Sequence, residues 1–349
     1  MPGTLSAGTI LWSRYRILDL VGQGGMGAIY QAEDLRLEGR LCAIKEVILD
    51  TGASKEYQEQ IQTAFHREAS VLARLDHPNL PKVSDFFFFN GREYLVMDFV
   101  PGQDLREVIE NAKHRQTFIP EKQVLSWAEQ LMSALEYLHD QNPPVLHRDI
   151  KPSNIKVTTN GLIKLVDFGL VKLLQPDDNR TVTVLQGRVT IQYAPLEQIG
   201  GDTGHTDARS DIYSLGATLY HILTNEPPPD AKTRYIQTKR QIPLTIRHIN
   251  PEVSAQTEQA IVHALGLHPE DRPHNIQQVK RELLTGAPIV VNGEVVNGWQ
   301  FVFWRNRVLL ALIAALFTLA VILTFTPGIT TQNNGSEPTQ PPPISEIGR

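Results

Sequence analysis

Val21–Tyr30 reads VGQGGMGAIY, with Gly22, Gly24 and Gly27 in a G-x-G-x-x-G spacing. That spacing suits three objects: the first turn of a dinucleotide-binding βαβ unit, a hairpin laid over a nucleotide's phosphates, or a loop that needs glycine's permissive dihedrals. The element directly after the glycines separates them. A βαβ unit has a helix there, so that a pyrophosphate meets the helix N-terminus. Here AIYQAEDL (Ala28–Leu35) and LCAIKEVIL (Leu41–Leu49) flank a polar turn around Glu38, Gly39 and Arg40, which predicts a β-hairpin. Glu46 stands about twenty residues downstream, where a dinucleotide fold keeps its ribose-binding acid, but the helix that would give this spacing meaning is missing. A Walker loop is excluded, because no Gly-Lys-Ser/Thr comes after the glycines.

Outward from this stretch, a helix-period segment runs from about Lys55 to Leu75. DFFFF (Asp85–Phe89) and EYLVMDFV (Glu93–Val100) lie either side of Asn90-Gly91, a strong two-residue hairpin signal. From about Asp104 helices dominate, for example Glu121–His139. A strand-rich first part with one helix, followed by a helix-rich second part, predicts an α+β, two-lobed fold and not alternating βαβ units.

The chain has 349 residues, a size for one two-lobed domain with appendages, and a net charge of −5, which gives no general attraction to nucleic acid. Cys42, the single cysteine, permits no intramolecular disulfide and reads as a small core residue. The N-terminus MPGTLSAGTILW has no basic n-region or long apolar run, so no cleavable signal peptide is expected. Residues 308–325 (VLLALIAALFTLAVILTF) are uncharged. As a helix they would span roughly 27 Å at about 1.5 Å per residue, close to a bilayer's hydrocarbon thickness. Trp299, Phe301, Phe303, Trp304, Arg305 and Arg307 precede them like an aromatic belt with positive charge beside it. Pro327 and Gly328 come next, and no Lys or Arg appears before Arg349. This predicts a single-pass membrane protein with its large N-terminal part cytoplasmic and its C-terminus outside. The polar, proline-rich tail 326–349 is expected to be disordered.

Phosphoryl transfer needs the nucleotide's phosphates clamped, their charge neutralised by metal and the acceptor hydroxyl aligned. Residues suited to each task occur in order. Lys45 lies on the strand behind the glycine hairpin, and Glu68 in HREASVLARL could pair with it. His147-Arg148-Asp149-Ile150-Lys151-Pro152-Ser153-Asn154 comes later, and Asp167-Phe168-Gly169 closes the apolar strand LIKLVDFG. Each element alone has an ordinary reading, such as a solvated surface charge. Together, in this order, they do not.

With these motifs the sequence resembles the protein kinase family, most closely the eukaryotic-like Ser/Thr kinases of bacteria, from about Tyr15 to Leu284. The resemblance implies a β-rich N-lobe over about 15–97 and a helical C-lobe over about 101–285. Around them lie an extension (1–14), a juxtamembrane segment (286–307), the membrane helix and the tail. It implies that Gly22, Gly24 and Gly27 cover the phosphates of ATP, and that Lys45, held by Glu68, contacts them. Asp149 would act as general base, Lys151 would steady the γ-phosphate, and Asn154 and Asp167 would bind Mg²⁺, or Mn²⁺ in its place. Met97 takes the gatekeeper position, and the backbone of Asp98 and Val100 would hold adenine. Val21, Ile29 and Ala43 join the ATP-binding residues, Ile29 where the family covers adenine with valine. His147, Asp211 and the pair Arg272–Glu197 would support the catalytic loop and activation segment.

Two departures stand out. The usual Ala-Pro-Glu reads Pro195-Leu196-Glu197, and Thr190, which the family would place between Asp149 and Lys151, has uncommon neighbours. Lys156 occupies the position where the family usually has an apolar side chain beneath adenine, and its methylene stem could form that floor. Arg148 before the catalytic Asp implies regulation by phosphate on the activation segment, with Thr181 and Thr183 as candidates. Expected partners are protein substrates, ATP and a lipid bilayer, with no nucleic acid; self-association for autophosphorylation stays open. The rival is a kinase-like scaffold that binds ATP without transfer, against which stand Lys45, Glu68, Asp149, Asn154 and Asp167, all present.

Overall fold

The glycine stretch folds as a hairpin, not as a strand feeding a helix. In the computed structural model, which describes residues 4–24, 27–47, 54–167, 191–199, 206–239, 244–291 and 294–296, strand β2 (Tyr15–Gly24) pairs antiparallel with β3 (Gly27–Asp34). Gly22 faces Ile29 and Gly24 faces Gly27 in the register. β3 pairs with β4 (Leu41–Val47), placing Lys45 opposite Ile29. The Asn90-Gly91 signal is realised between β5 (Val83–Phe89) and β6 (Arg92–Asp98), and both turn residues have positive φ (49° and 78°), as a tight primed turn requires.

The sheet order is β1-β2-β3-β4-β6-β5, where β1 (Ile10–Leu11) is an edge strand paired with β2. The extension 1–14 is therefore folded onto the lobe from at least Leu5, whose N–H donates to the Tyr30 hydroxyl (3.0 Å). The sheet curls until its edges meet: Trp12 stacks on Phe87 of β5 at 5.0 Å, and Phe87 stacks in turn on Tyr15 and Tyr94. Arg14 closes the same seam with two bonds to Asp34 (2.8 and 2.7 Å) and one to Asp85 (3.0 Å). No local pattern announces a pairing of this range, which is why the sequence pattern alone ends the lobe at Tyr15. Helix α1 (Lys55–Leu72) packs beside the sheet, where Gln62 and His66 contact the fully buried Glu93 carboxylate of β6 (2.7 and 3.3 Å).

Beyond β6 the chain enters the helical lobe. A two-residue strand β7 (Gln103–Asp104) precedes α2 (Leu105–His114), which Asp104 and Glu107 start with a capping box. α3 (Glu121–His139) comes next, with the bounds its periodicity predicts. β7, β8 (Ile155–Val157) and β9 (Ile163–Leu165) form a small sheet that presents the catalytic loop. After the short α4 (Leu196–Ile199), α5 (Ala208–Thr224) runs through the lobe's centre, buried from Ser210 to Tyr220 on every face, with the polar side chains of Ser210, Asp211 and Ser214 hydrogen-bonded there. Its Gly216 lets α7 (Ala255–Ala264) approach, since a Cβ there would stand 3.0 Å from that of Ala264. α6 (Ala231–Lys239) and α8 (Ile276–Lys280) complete the helices used below.

Past the predicted boundary at 285, Ile289–Val291 pairs antiparallel with Glu294–Val296. Residues 1–296 and 297–349 are separate units. The expected membrane helix (308–325) and tail lie outside the described residues, among which no helix is long and apolar enough to cross a membrane.

Candidate active site

The catalytic loop is positioned from beneath by one buried acid. Asp211 in the first turn of α5 is fully buried and accepts bonds from the backbone N–H groups of His147 (2.9 Å) and Arg148 (2.8 Å), and from His139 Nε2 (2.9 Å). Burial alone would raise its pKa. The His139 hydrogen bond, the charges of His139 and His147 and the Arg148 amide outweigh burial and hold it below the usual range, so the carboxylate stays ionised. With these anchors Arg148 is held in the left-handed region (φ 63°), and Asp149 leaves the loop toward the cleft. Asp167 also has φ 64°. Two non-glycine residues in this sparsely populated region, close in sequence to the candidate catalytic and metal-binding residues, are the kind of strain that collects at functional sites.

Asp149, Lys151 and Asn154 form a connected set. Lys151 Nζ lies 2.9 Å from Asp149 Oδ2, and Asn154 Nδ2 donates to the carbonyl (2.8 Å) and Oδ2 (2.9 Å) of Asp149. These bonds turn the Asn154 amide nitrogen onto Asp149, and its oxygen accepts only a long bond from the Ser153 hydroxyl (3.5 Å). A cavity of about 680 Å³ brings this set together with Gly22, Gly24, Gly27, Lys45 and Asp167. Val21, Ile29, Ala43, Met97, Asp98, Val100 and Lys156 wall the same cavity, so the resemblance's ATP-binding residues converge on one place. The Asp98 N–H already donates to the Lys82 carbonyl (3.0 Å), so the group it offers a base is its carbonyl. Lys156 lines the floor while its ammonium reaches the Gly102 carbonyl (3.2 Å), the stem-and-head arrangement expected of a lysine on an apolar surface.

The three glycines do different jobs. Cβ atoms at Gly22 and Gly24 would meet nothing within 4 Å, so their backbone faces open cavity. At Gly27 (φ 144°) a Cβ would stand 1.8 Å from the Glu46 carbonyl oxygen, so this glycine lets β3 close onto β4. Glu46 is itself a core acid, bonded to Arg92, the Tyr94 hydroxyl (3.1 Å) and the Tyr30 hydroxyl (3.3 Å), and not a ribose ligand. Cys42 is buried as expected, with its thiol pushed up to about 12 by burial.

Lys45 departs from the expected pairing. Its ion pair is with Asp167, and Glu68 lies beyond ion-pair distance and outside the cavity. Glu68 is mostly buried, which pushes its carboxyl up to about 7, against the opposing pull of Arg148 first and Lys45 second. Burial likewise lowers Arg148. Glu68 therefore stands between two cations with its charge half suppressed.

The expected pair Arg272–Glu197 is formed. Arg272, 1% exposed, uses all five N–H donors: two on Glu197 (2.7 and 3.1 Å) and one each on the carbonyls of Gly266 (2.7 Å), Arg209 (3.1 Å) and Leu267 (3.0 Å). Ser210 adds a bond to Glu197 (2.8 Å), whose carboxyl would be raised by burial but is held low by Arg272. Phe168, Gly169, Thr181, Thr183 and Thr190 lie outside the described residues. Two functional residues were missed in the sequence. His139, the third partner of Asp211, gave no signal there; Gly102 did, in Val100-Pro101-Gly102, because a Cβ at its φ of 120° would lie 2.2 Å from the Val157 carbonyl oxygen.

As a donor set, the Asn154 amide oxygen and the Asp167 carboxylate suit a hard divalent cation that keeps most of its ligands as water and phosphate. Among the described residues no cluster of three or more His, Cys, Asp or Glu could cage a metal alone.

Comparison with known proteins gives the chain's family and relatives. The family described as the protein kinase domain matches residues 15–284. The chain is 30% identical over 295 residues to the probable serine/threonine-protein kinase PknB of Lactococcus lactis, covering 83% of this chain and 44% of that protein. It is 31% identical over 283 residues to the serine/threonine-protein kinase PknB of Mycobacterium leprae, covering 78% and 43%. It thus spans less than half the length of these relatives. Among solved structures, PpkA-294 in its apo form aligns with a TM-score of 0.65 at 28% identity, over 80% of this chain and 99% of that one. The PknI kinase domain of Mycobacterium tuberculosis aligns at 0.61 and 26%, over 81% and 99%.

Proposed function

The chain belongs to the protein kinase family, and from that premise we propose that it transfers the γ-phosphoryl group of ATP to serine and threonine hydroxyls of proteins. The convergence of Lys45, Asp149, Lys151, Asn154 and Asp167 on one cavity under the glycine hairpin carries the reading. Asp149 is the group that would take or orient the acceptor's proton, held in place through Asn154, Lys151 and the Asp211 anchor. Lys151, paired with Asp149, would meet the transferring phosphoryl group between donor and acceptor. Asn154 and Asp167 would hold Mg²⁺, which when bound neutralises charge on the phosphates. Lys45, now on Asp167, would turn to the phosphates, and Glu68 would take up its charge. The floor lysine, Lys156, is read as an adenine-side residue that replaces an apolar one.

Membrane attachment through residues 308–325, with the catalytic part on the cytoplasmic side, rests on the apolar run and its aromatic and arginine flank. Transfer onto Thr181 or Thr183 of the chain's own activation segment rests on Arg148 preceding Asp149.

The test compares wild type with Asp149→Asn for transfer of radiolabelled phosphate from ATP to a generic protein, followed by phosphoamino-acid identification. Label on serine and threonine with wild type only is expected. Equal labelling by both proteins, or ATP binding with no transfer by either, would leave the scaffold reading in its place.

A further inference from the structure

Glu46 directly follows Lys45 on β4 and is a buried acid with no part in the chemistry above. Its side chain is 2% exposed and enters the core of the curled sheet, which is built of hydrophobic residues such as Ile17, Ile44, Phe87 and Val96. There the carboxylate accepts bonds from Arg92 and the Tyr94 hydroxyl (3.1 Å) on β6, and from the Tyr30 hydroxyl (3.3 Å) on β3. Burial raises both phenols, so both stay protonated and donate. One side chain thus joins β3, β4 and β6. The clamp continues outward: the Tyr30 hydroxyl accepts the Leu5 N–H (3.0 Å), and the Gly8 N–H donates to the Ile17 carbonyl of β2 (2.8 Å). The N-terminal extension therefore lies along one strand of the glycine hairpin and is tied to the other.

Stability alone does not account for an acid at this place. A buried carboxylate loses its hydration, and a buried ion pair can often be exchanged for apolar side chains without loss. What the carboxylate adds is direction, because its donors must come from fixed points on two neighbouring strands. The main chain it fixes has two tasks at the ATP cavity. Its carbonyl oxygen is the atom that Gly27 closes onto, 1.8 Å from where a Cβ would stand. The residue before it, opposite Ile29 in the register, is Lys45, whose side chain points to the other face of the strand and lines the cavity. A displacement of Glu46 moves both.

We propose that Glu46 is a positioning residue for ATP, fixing β4 so that the glycine hairpin and Lys45 keep their places around the phosphates, with Tyr30 and Leu5 as the outer links of the clamp. The assignment rests on the kinase reading above. Releasing one or two buried hydrogen bonds in such a clamp corresponds to a rise in KM for ATP of about threefold to tenfold.

The test is steady-state kinetics of the full chain, with ATP varied at a saturating protein acceptor, alongside thermal unfolding. Glu46→Leu is expected to raise KM for ATP about threefold to tenfold with kcat within about twofold, and Glu46→Gln, which keeps the shape and an acceptor, to recover part of the loss. Tyr30→Phe, which keeps the ring, is expected to raise KM by a smaller factor and decides the matter where the leucine variant does not fold. Ser254→Ala, which removes the N-cap of α7 far along the chain, is the control for lost stability and should leave KM for ATP unchanged. Unchanged KM in folded Glu46→Leu and Tyr30→Phe, or an equal rise in Ser254→Ala, overturns the positioning role and leaves the kinase reading standing. Absence of transfer by wild type overturns the kinase reading and this assignment with it.

Discussion

Gly27→Ala separates two roles that the G-x-G-x-x-G spacing presents as one. The added Cβ would stand 1.8 Å from the Glu46 carbonyl oxygen, and ordinary contact begins near 3.4 Å, so β3 and β4 must part by about 1.6 Å. Strands in a ladder are about 4.8 Å apart, so a displacement of that size breaks the hydrogen bonds around Ile29 and Lys45. Overpacking of this kind costs about 1–3 kcal/mol, and an alanine held at φ 144° adds about 1–3 more. The loss, about 2–6 kcal/mol, is a large fraction of an ordinary domain's stability. Gly22→Ala and Gly24→Ala meet open space and should change stability by under about 0.5 kcal/mol, while raising KM for ATP if phosphates lie against that backbone. Amide hydrogen exchange over β2–β4 measures the first effect and steady-state kinetics the second. Equal protection in Gly27→Ala and wild type, or equal losses at all three glycines, would refute the division of roles.

Arg272→Ala should cost about 3–5 kcal/mol, because it leaves the part-buried Glu197 carboxylate with Ser210 alone and removes the donor from three carbonyls. Arg272→Lys should recover less than half, since an ammonium cannot reproduce five diverging donors. A double-mutant cycle with Glu197→Gln in thermal unfolding checks it, and a coupling under about 0.5 kcal/mol would contradict it. Glu68 predicts a pH dependence. Its folded pKa, raised from 4.5 to about 7, means that the folded chain holds more protons than the unfolded chain across that window. Stability should therefore fall as pH rises from about 4.5 to 7, by at most about 3 kcal/mol from this group, and Glu68→Gln should remove that slope. Unfolding curves across pH 4.5–8 with the same slope in both proteins would rule it out.

The parts legible in the sequence are those whose signal is local. Asn90-Gly91 specifies its hairpin because both residues tolerate positive φ, and α3 obeys its own periodicity between Pro120 and Asp140. The catalytic residues were legible because their spacing along the chain matches a known pattern. What could not be read depends on distant partners. β1 exists because Trp12 and Arg14 meet Phe87 and Asp85, more than seventy residues away. The pairing of Ile289–Val291 with Glu294–Val296 was legible and missed: Asn292-Gly293 between two β-branched runs is the same signal as Asn90-Gly91.

The partner of Lys45 marks the limit of sequence reading most sharply. Two carboxylates, Glu68 and Asp167, compete for one ammonium, and both choices are compatible with the same residues. Burial decides between them. A carboxyl pushed up to about 7 is about half protonated at neutral pH, so Glu68 is a weak partner for Lys45, whose ammonium pairs with Asp167. Residual charge on Glu68 is drawn first toward Arg148 and only second toward Lys45. On the sheet-facing side α1 is fixed by Gln62 and His66 to Glu93, so a Lys45–Glu68 pair requires Glu68 to ionise and the turn carrying it to approach β4. Phosphoryl transfer in this family depends on that pair and on a metal-bound Asp167 together. A cation that takes the Asp167 carboxylate would release Lys45, and the released ammonium would favour ionisation of Glu68. Metal binding and pairing of Lys45 with Glu68 would then be coupled through the one ammonium they share.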